Sequence, residues 1–369
     1  MPVLSVLTVA TDLRAWLPAS MLASTMVPYA TGALFCAGLS MFIPQKWYLW
    51  LDNRMYELFM SSCLFVFETC NATKLHLYGT PEAFKGPADS AILIANHQTG
   101  TDWVMINMLA TRHAQQYSFR FMTKHVIQYV PLYGWYTLQR GFVYVRRFGD
   151  FAPTAPQNQL RYLKNLPEPY WLHIFPEGTR FNRHRTKEIQ AANSYCRKRE
   201  LPKLRHCLVP KIGGFKLAVE ELRPTLNYIY DITIAYGVTL DENRQDDAPN
   251  MYEFVTGRSE RHNEVHMHVK RIGIEEVPTE GNELKLWLHQ RFLEKDRLLD
   301  EFYATGAFPE PVETPSKLTP LTKTATSFVI LNAAVWSAAF FPKIRNVYLG
   351  VICISPLLIV WNKLRGSAA

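Results

Sequence analysis

The chain has 369 residues, 48% hydrophobic, 13% aromatic and only 20% charged, a composition that excludes a disordered chain. Its mean hydropathy of -0.10 excludes a polytopic channel and hides a partition between apolar ends and a polar middle. Lys and Arg number 40 against 32 Asp and Glu, and the net +8 favours anionic partners: phosphates, anionic lipid headgroups or nucleic acid.

At the N-terminal end, Ala19 to Ile43 contains no charged side chain and is long enough to cross a bilayer core of about 30 Å. It starts late, after Asp12 and Arg14, and lacks a small-x-small cleavage site before Pro44, so it reads as a retained anchor and not a cleaved signal. Met55 to Cys70 carries Glu57 and Glu68 and is short for a span, which predicts an interfacial or re-entrant helix. A buried core helix is the competing reading of every such run.

Strand-like runs then alternate with helical ones. Strands are predicted over Ala91 to Ala95, Phe119 to Thr123, Phe142 to Val145, Tyr170 to Phe175, Tyr228 to Tyr236 and Val265 to Val269. Helices are predicted over Trp103 to Thr111, Gln157 to Lys164, Lys187 to Arg199 and Glu283 to Tyr303. The alternation argues for an α/β domain, a mixed sheet flanked by helices, with chemistry collected where strands end and helices begin.

One such junction is Asn96-His97-Gln98-Thr99-Gly100-Thr101-Asp102, after the first of these strands. Five residues apart on one helix, the two side chains would diverge by roughly 140°, so His97 and Asp102 meet only if His97 lies on the turn before the helix. Histidine suits proton removal from a hydroxyl near neutral pH, and a carboxylate on its other ring nitrogen holds the tautomer. A capped helix start would use the same residues.

The second junction is Phe175-Pro176-Glu177-Gly178-Thr179-Arg180. Pro176 ends the strand and Gly178 permits a turn whose N–H groups face an anion, while Arg180 can fork onto a phosphate. Gly141 to Arg147 is a short strand ending in two arginines, which would bring Arg147 to the same phosphate or leave it solvated. Val209-Pro210-Lys211-Ile212 carries no meaning in isolation.

Arg197-Lys198-Arg199 has no aromatic stacking platform beside it, which argues against nucleic acid. Asp241 to Asn250 reads as a surface loop. His262, His266 and His268 would share a strand face with Glu264, and an exposed polar face is the expected reading in preference to a metal site. The six cysteines form no C-x-x-C pair and read as reduced, buried thiols in a protein facing the cytosol. Near the C-terminus, Ala325 to Phe341 and Val347 to Trp361 flank Pro342 to Asn346, a pattern predicting a tight membrane hairpin with a basic turn. The resulting division is residues 1–72 (membrane-anchoring helices), 73–310 (catalytic domain) and 311–369 (C-terminal hairpin).

Together and in this order, the four clusters resemble the glycerolipid acyltransferase family defined by N-H-x4-D and F-P-E-G-T-R. The flanks Leu132-Tyr133-Gly134, Trp287-Leu288-His289, Glu294-Lys295-Asp296 and Glu301-Phe302-Tyr303 resemble its 1-acylglycerol-3-phosphate acyltransferase epsilon and lysocardiolipin acyltransferase branch. The resemblance implies His97 as base, Asp102 as its partner, and Glu177, Gly178, Thr179, Arg180 and Arg147 around the acceptor phosphate. It places Val209 and Pro210 near the acyl donor, although Lys211 stands where many members carry an apolar residue.

The implied reaction is direct acyl transfer from acyl-CoA, a co-substrate, to the sn-2 hydroxyl of lysophosphatidic acid, with no cofactor and no metal. Lysophosphatidylinositol or lysocardiolipin are alternative acceptors. A hydrolase and a non-enzymatic lipid-binding scaffold are alternatives of other classes. The expected partner is the lipid bilayer, and the expected place is the endoplasmic reticulum membrane or the mitochondrial outer membrane.

Overall fold

A computed structural model describes residues 16–84, 89–146, 153–256 and 263–367. Eight strands form one sheet: β1 (Lys74–Gly79), β2 (Ala91–Ala95), β3 (Phe119–Lys124), β4 (Val143–Val145), β5 (Trp171–Ile174), β6 (Tyr228–Tyr236), β7 (Glu264–Gly273) and β8 (Pro311–Glu313). Their order is β4-β3-β5-β2-β6-β7-β1-β8. The block from β4 to β6 is parallel, β7 runs antiparallel to β6, β1 is parallel to β7, and β8 is antiparallel to β1.

Eleven helices are described: α1 (Trp16–Leu39), α2 (Gln45–Leu64), α3 (Asp102–Arg112), α4 (Tyr133–Gln139), α5 (Thr154–Lys164) and α6 (Thr186–Lys198), then α7 (Ile212–Leu222), α8 (Met251–Thr256), α9 (Gly281–Thr305), α10 (Leu321–Phe340) and α11 (Pro342–Ser367). The central strand β2, Ala-Ile-Leu-Ile-Ala, is buried at every position because both faces of the sheet are covered. Its Ala91, Leu93 and Ala95 face a core with α2 and α3. Its Ile92 and Ile94 face a second core with α5, α7 and α9.

The apolar ends pack on the first of these cores. Within α2, Tyr56, Phe59, Met60 and Leu64 lie among sheet residues, and Asp52 pairs with the buried Arg140 at the end of α4. In the turn that follows α2, the buried Glu68 accepts from Arg112 at 2.9 Å. Helix α2 is therefore a core helix along its second half. Only α1 is by itself long and apolar enough to cross a membrane among the described residues.

The C-terminal pair departs from the expected tight hairpin. Helices α10 and α11 are bent by 109° across a break at Phe341, and Pro342 to Asn346 is helical. Pro342 begins α11, where a missing N–H costs nothing and the fixed φ already suits a helix.

Strand β7 corrects the expected exposed polar face. It lies between β6 and β1, so His266 is buried and stacks on His76 with ring centroids 4.5 Å apart. Phe302 of α9 covers it. His76, Glu264 and His266 bring donor atoms within 4.8 Å of one another, but the two imidazoles lie parallel to within 8°, the geometry of stacked rings and not of ligands converging on one ion. His262 lies outside the described residues.

Candidate active site

Strand β2 ends at Ala95, and Asn96 replaces the ladder beyond it. Its amide donates to the Ile234 carbonyl at 2.9 Å and accepts the Ile234 N–H at 2.8 Å, which locks the chain to β6 just before His97. Helix α3 then starts at Asp102, so His97 sits on the preceding turn, the one arrangement in which the two can meet.

His97 Nδ1 donates to Asp102 Oδ2 at 2.8 Å. The same oxygen accepts the N–H groups of Gln98 at 2.9 Å and Thr99 at 3.1 Å. Asp102 Oδ1 accepts the Tyr236 hydroxyl at 2.5 Å. Asp102 is 1% exposed, and its four donors compensate the cost of keeping a carboxylate there. The pairing fixes the imidazole with Nε2 as the nitrogen available to take a proton. Phe175 stacks on the His97 ring, centroids 4.0 Å apart, and holds its plane.

The turn after β5 is tied to this loop. Phe181 N–H donates to the His97 carbonyl at 2.7 Å. Glu177 Oε1 accepts the His97 N–H at 2.7 Å and Oε2 accepts the Leu208 N–H at 2.8 Å. Glu177 is 1% exposed, and burial pushes its carboxyl up to about 8 although both N–H groups oppose the shift. Where the resemblance implies a place for Glu177 around the acceptor phosphate, both of its oxygens accept backbone N–H groups, and it ties three chain segments together.

Gly178 adopts φ +72°, where a side chain would be strained and its Cβ would lie 3.3 Å from Lys211 Cδ. Beside it opens a cleft of about 220 Å³ lined by Met122, Val145, Arg146, Phe175, Gly178 and Lys211. The N-terminal turn of α7 closes one side through Gly213 and Gly214. Lys211 is held by its N–H to the Pro176 carbonyl at 2.8 Å. Val209 packs into the second core, and Pro210 joins it to Lys211.

Arg180 is exposed and does not line this cleft; its Nη1 would lie 3.3 Å from a Cβ at Gly100, on the His97 side. Thr179 Oγ1 accepts from Arg185 at 3.1 Å. Arg147 lies outside the described residues, and Arg146 is the strand-end cation that reaches the cleft.

Three contributors were not predicted from sequence: Tyr236, Lys211 as a cleft residue, and the 241–250 segment. That segment is more than a surface loop. The Pro249 carbonyl accepts Thr99 Oγ1 at 2.5 Å, Asp247 accepts from Asn182 at 2.7 Å, and Asp246 clasps the buried His206 at 2.9 Å. Tyr236 stood at the end of a predicted strand, and no local pattern marked it as part of the site.

Comparison with known proteins identifies the family of the chain. A family model described as Acyltransferase matches residues 79–237, and one described as Acyltransferase C-terminus matches residues 256–336. The chain is 32% identical over 352 residues to 1-acyl-sn-glycerol-3-phosphate acyltransferase epsilon of Mus musculus, covering 94% of this chain and 95% of that one. It is 30% identical to lysocardiolipin acyltransferase 1 of Gallus gallus over 72% of this chain and 67% of the other. Among solved structures, the 1-acyl-sn-glycerophosphate acyltransferase PlsC of Thermotoga maritima covers 80% of this chain and 98% of its own, at TM-score 0.48 and 15% identity. Identity at this level over nearly the whole of both chains, with the acyltransferase model spanning the segments that carry His97, Asp102 and Glu177, makes this chain an enzyme of the 1-acylglycerol-3-phosphate acyltransferase family, on its epsilon branch.

Proposed function

We propose that the protein transfers an acyl group from acyl-CoA to the sn-2 hydroxyl of lysophosphatidic acid, giving phosphatidic acid. The observation that carries this reading is the buried Asp102 carboxylate on His97 Nδ1, which prepares Nε2 to take a hydroxyl proton as the oxygen attacks a thioester. The new ester forms, CoA leaves as its thiol, and His97 returns the proton to the departing sulfur. No acyl-enzyme is invoked, since the hydrogen bonds of His97 among the described residues run to Asp102, Glu177 and Phe181 and to no serine or cysteine.

The acceptor phosphate is assigned to Arg180 and to the cations of the cleft, Lys211 and Arg146, next to the α7 N-terminus. Lipid access is supported by the exposed apolar side chains of the terminal helices, among them Phe35, Val329, Trp336 and Phe340. The compartment, endoplasmic reticulum or mitochondrial outer membrane, is a matter for fractionation of the tagged protein.

The test is a panel of lysophosphatidic acid, lysophosphatidylinositol and lysocardiolipin with one labelled acyl-CoA. Wild type, His97→Ala, Arg180→Ala and Lys211→Ala are compared. Loss of kcat in the first and a raised acceptor KM in the other two is expected. Fatty acid released at the same rate without any acceptor would identify a hydrolase instead.

A further inference from the structure

Strand β6 ends at Tyr236, whose ring is fully buried on the α3 side of the sheet with an edge contact to Phe254. Its hydroxyl lies 2.5 Å from Asp102 Oδ1 and 3.4 Å from Thr101 Oγ1. The other carboxylate oxygen carries His97 and two backbone N–H groups. Tyr236 is therefore the sole donor to Oδ1 among the described residues. Among the described residues, it and His97 are the two side chains hydrogen-bonded to the carboxylate.

We propose that Tyr236 is a positioning residue of the acyl transfer, an outer member of a Tyr236–Asp102–His97 relay that sets both the orientation of the Asp102 carboxylate and the basicity of His97. The proposal rests on His97 acting as the base. It has two physical parts. A carboxylate held at both oxygens cannot rotate about its Cβ–Cγ bond, so the oxygen facing Nδ1 stays in the imidazole plane. The phenolic O–H also draws negative charge toward Oδ1, so Asp102 stabilises the imidazolium less than a bare carboxylate would.

Among the described residues, the other charged and titratable groups around the pair make no hydrogen bond to this hydroxyl. Strand β5 presents His173, whose imidazole is held neutral by burial and which senses the His97 charge. The turn after β5 presents Glu177 on the His97 N–H and Arg180 beside Gly100. Helix α9 presents Lys295, which acts on Glu177 and His173 and is itself paired with Asp231. A change in the pH profile on losing the phenol therefore reports on the relay itself.

Tyr236→Phe keeps the ring and its packing and deletes only the donor. Expected in the full-length protein are a kcat roughly ten- to a hundredfold lower, acyl-CoA and acceptor KM within about twofold of wild type, and an acid limb of kcat/KM moved to higher pH. Incorporation of 3-fluorotyrosine at 236, a stronger donor of almost the same shape, should move the acid limb to lower pH. Opposite displacements are not produced by a purely structural residue. Equal kcat and equal acid limbs in wild type, Phe and fluorotyrosine proteins would overturn the proposal, as would two limbs moving the same way. Should the Phe variant fail to fold, the fluorotyrosine protein alone decides by the direction of its limb. If wild type itself transfers no acyl group, it is the reading of the site as a transferase that fails.

Discussion

Asp102→Asn separates charge from geometry at the centre of the site. The Asn oxygen takes the Oδ2 position, because three donors converge there: His97 Nδ1 at 2.8 Å, Gln98 N at 2.9 Å and Thr99 N at 3.1 Å. The amide NH2 then faces Tyr236, whose hydroxyl accepts from it and turns its own proton toward Thr101. Every donor keeps an acceptor, the His97 tautomer is retained, and the fold should lose little. What disappears is the attraction between the carboxylate and the imidazolium formed as His97 takes the proton. Charges 4 Å apart at an effective dielectric of 20 interact by about 4 kcal/mol, which corresponds to roughly a thousandfold in rate. The assay is steady-state acyl transfer with both substrates varied, beside thermal unfolding. A thousandfold lower kcat with KM and Tm nearly unchanged is expected, and His97→Ala combined with Asp102→Asn should be no slower than His97→Ala alone. A kcat within tenfold of wild type, or a loss confined to KM, would refute the assignment.

Two further substitutions test the supports of the site. Glu177→Gln leaves either the His97 or the Leu208 N–H facing an amide NH2, since Gln has one acceptor where Glu177 uses two; a stability loss of about 1–3 kcal/mol should appear as a lower Tm, and an unchanged Tm would show that the brace carries no load. His206 is pulled down by burial, but its bonds to Asp246 and Asp300 outweigh this and leave its pKa raised. A raised folded-state value means that its stabilisation is complete below the unfolded value near 6.5 and is lost as pH rises through the folded value. The Tm difference between wild type and His206→Gln should accordingly be largest at pH 6 and shrink toward pH 9; a difference that grows with pH would contradict the assignment.

What was legible in the sequence was what is local. The runs of β2 and β6 end where the composition says, since strands buried on both faces are dominated by apolar and neutral residues until they leave the core, and the one charged side chain in the two strands, Asp231 of β6, is paired with Lys295. His97 and Asp102 are five residues apart, so one turn of backbone decides whether they meet. Glu177 reaches the His97 loop across 80 residues and Tyr236 reaches Asp102 across 134, and neither contact leaves a trace in a local pattern. The burial of His266 likewise depends on β1, a six-residue strand without a clear apolar signal that inserts on the far side of β7. The four-residue run at Val209 gained meaning only when the fold laid Lys211 against Gly178.

The same reasoning accounts for Glu294-Lys295-Asp296, which stood out in the sequence only by resemblance and lies far along the chain from the catalytic loop. Successive positions on a helix point about 100° apart, so Lys295 and Asp296 on α9 brace different segments. Lys295 is buried and donates to the Ile232 carbonyl at 2.6 Å and the Ile94 carbonyl at 3.3 Å, joining the middle of β6 to the end of β2, three residues before His97. Asp296 accepts the N–H groups of Arg205 and His206 at 2.9 and 2.7 Å, which holds the segment whose Leu208 N–H, two residues on, rests on Glu177. An ammonium group buried at this depth is tolerated only because Asp231 neutralises it and carbonyls fill its remaining donors. Its cost is offset by tying β6 to the end of β2, a link that adds to the one Asn96 makes between the same two strands just before His97.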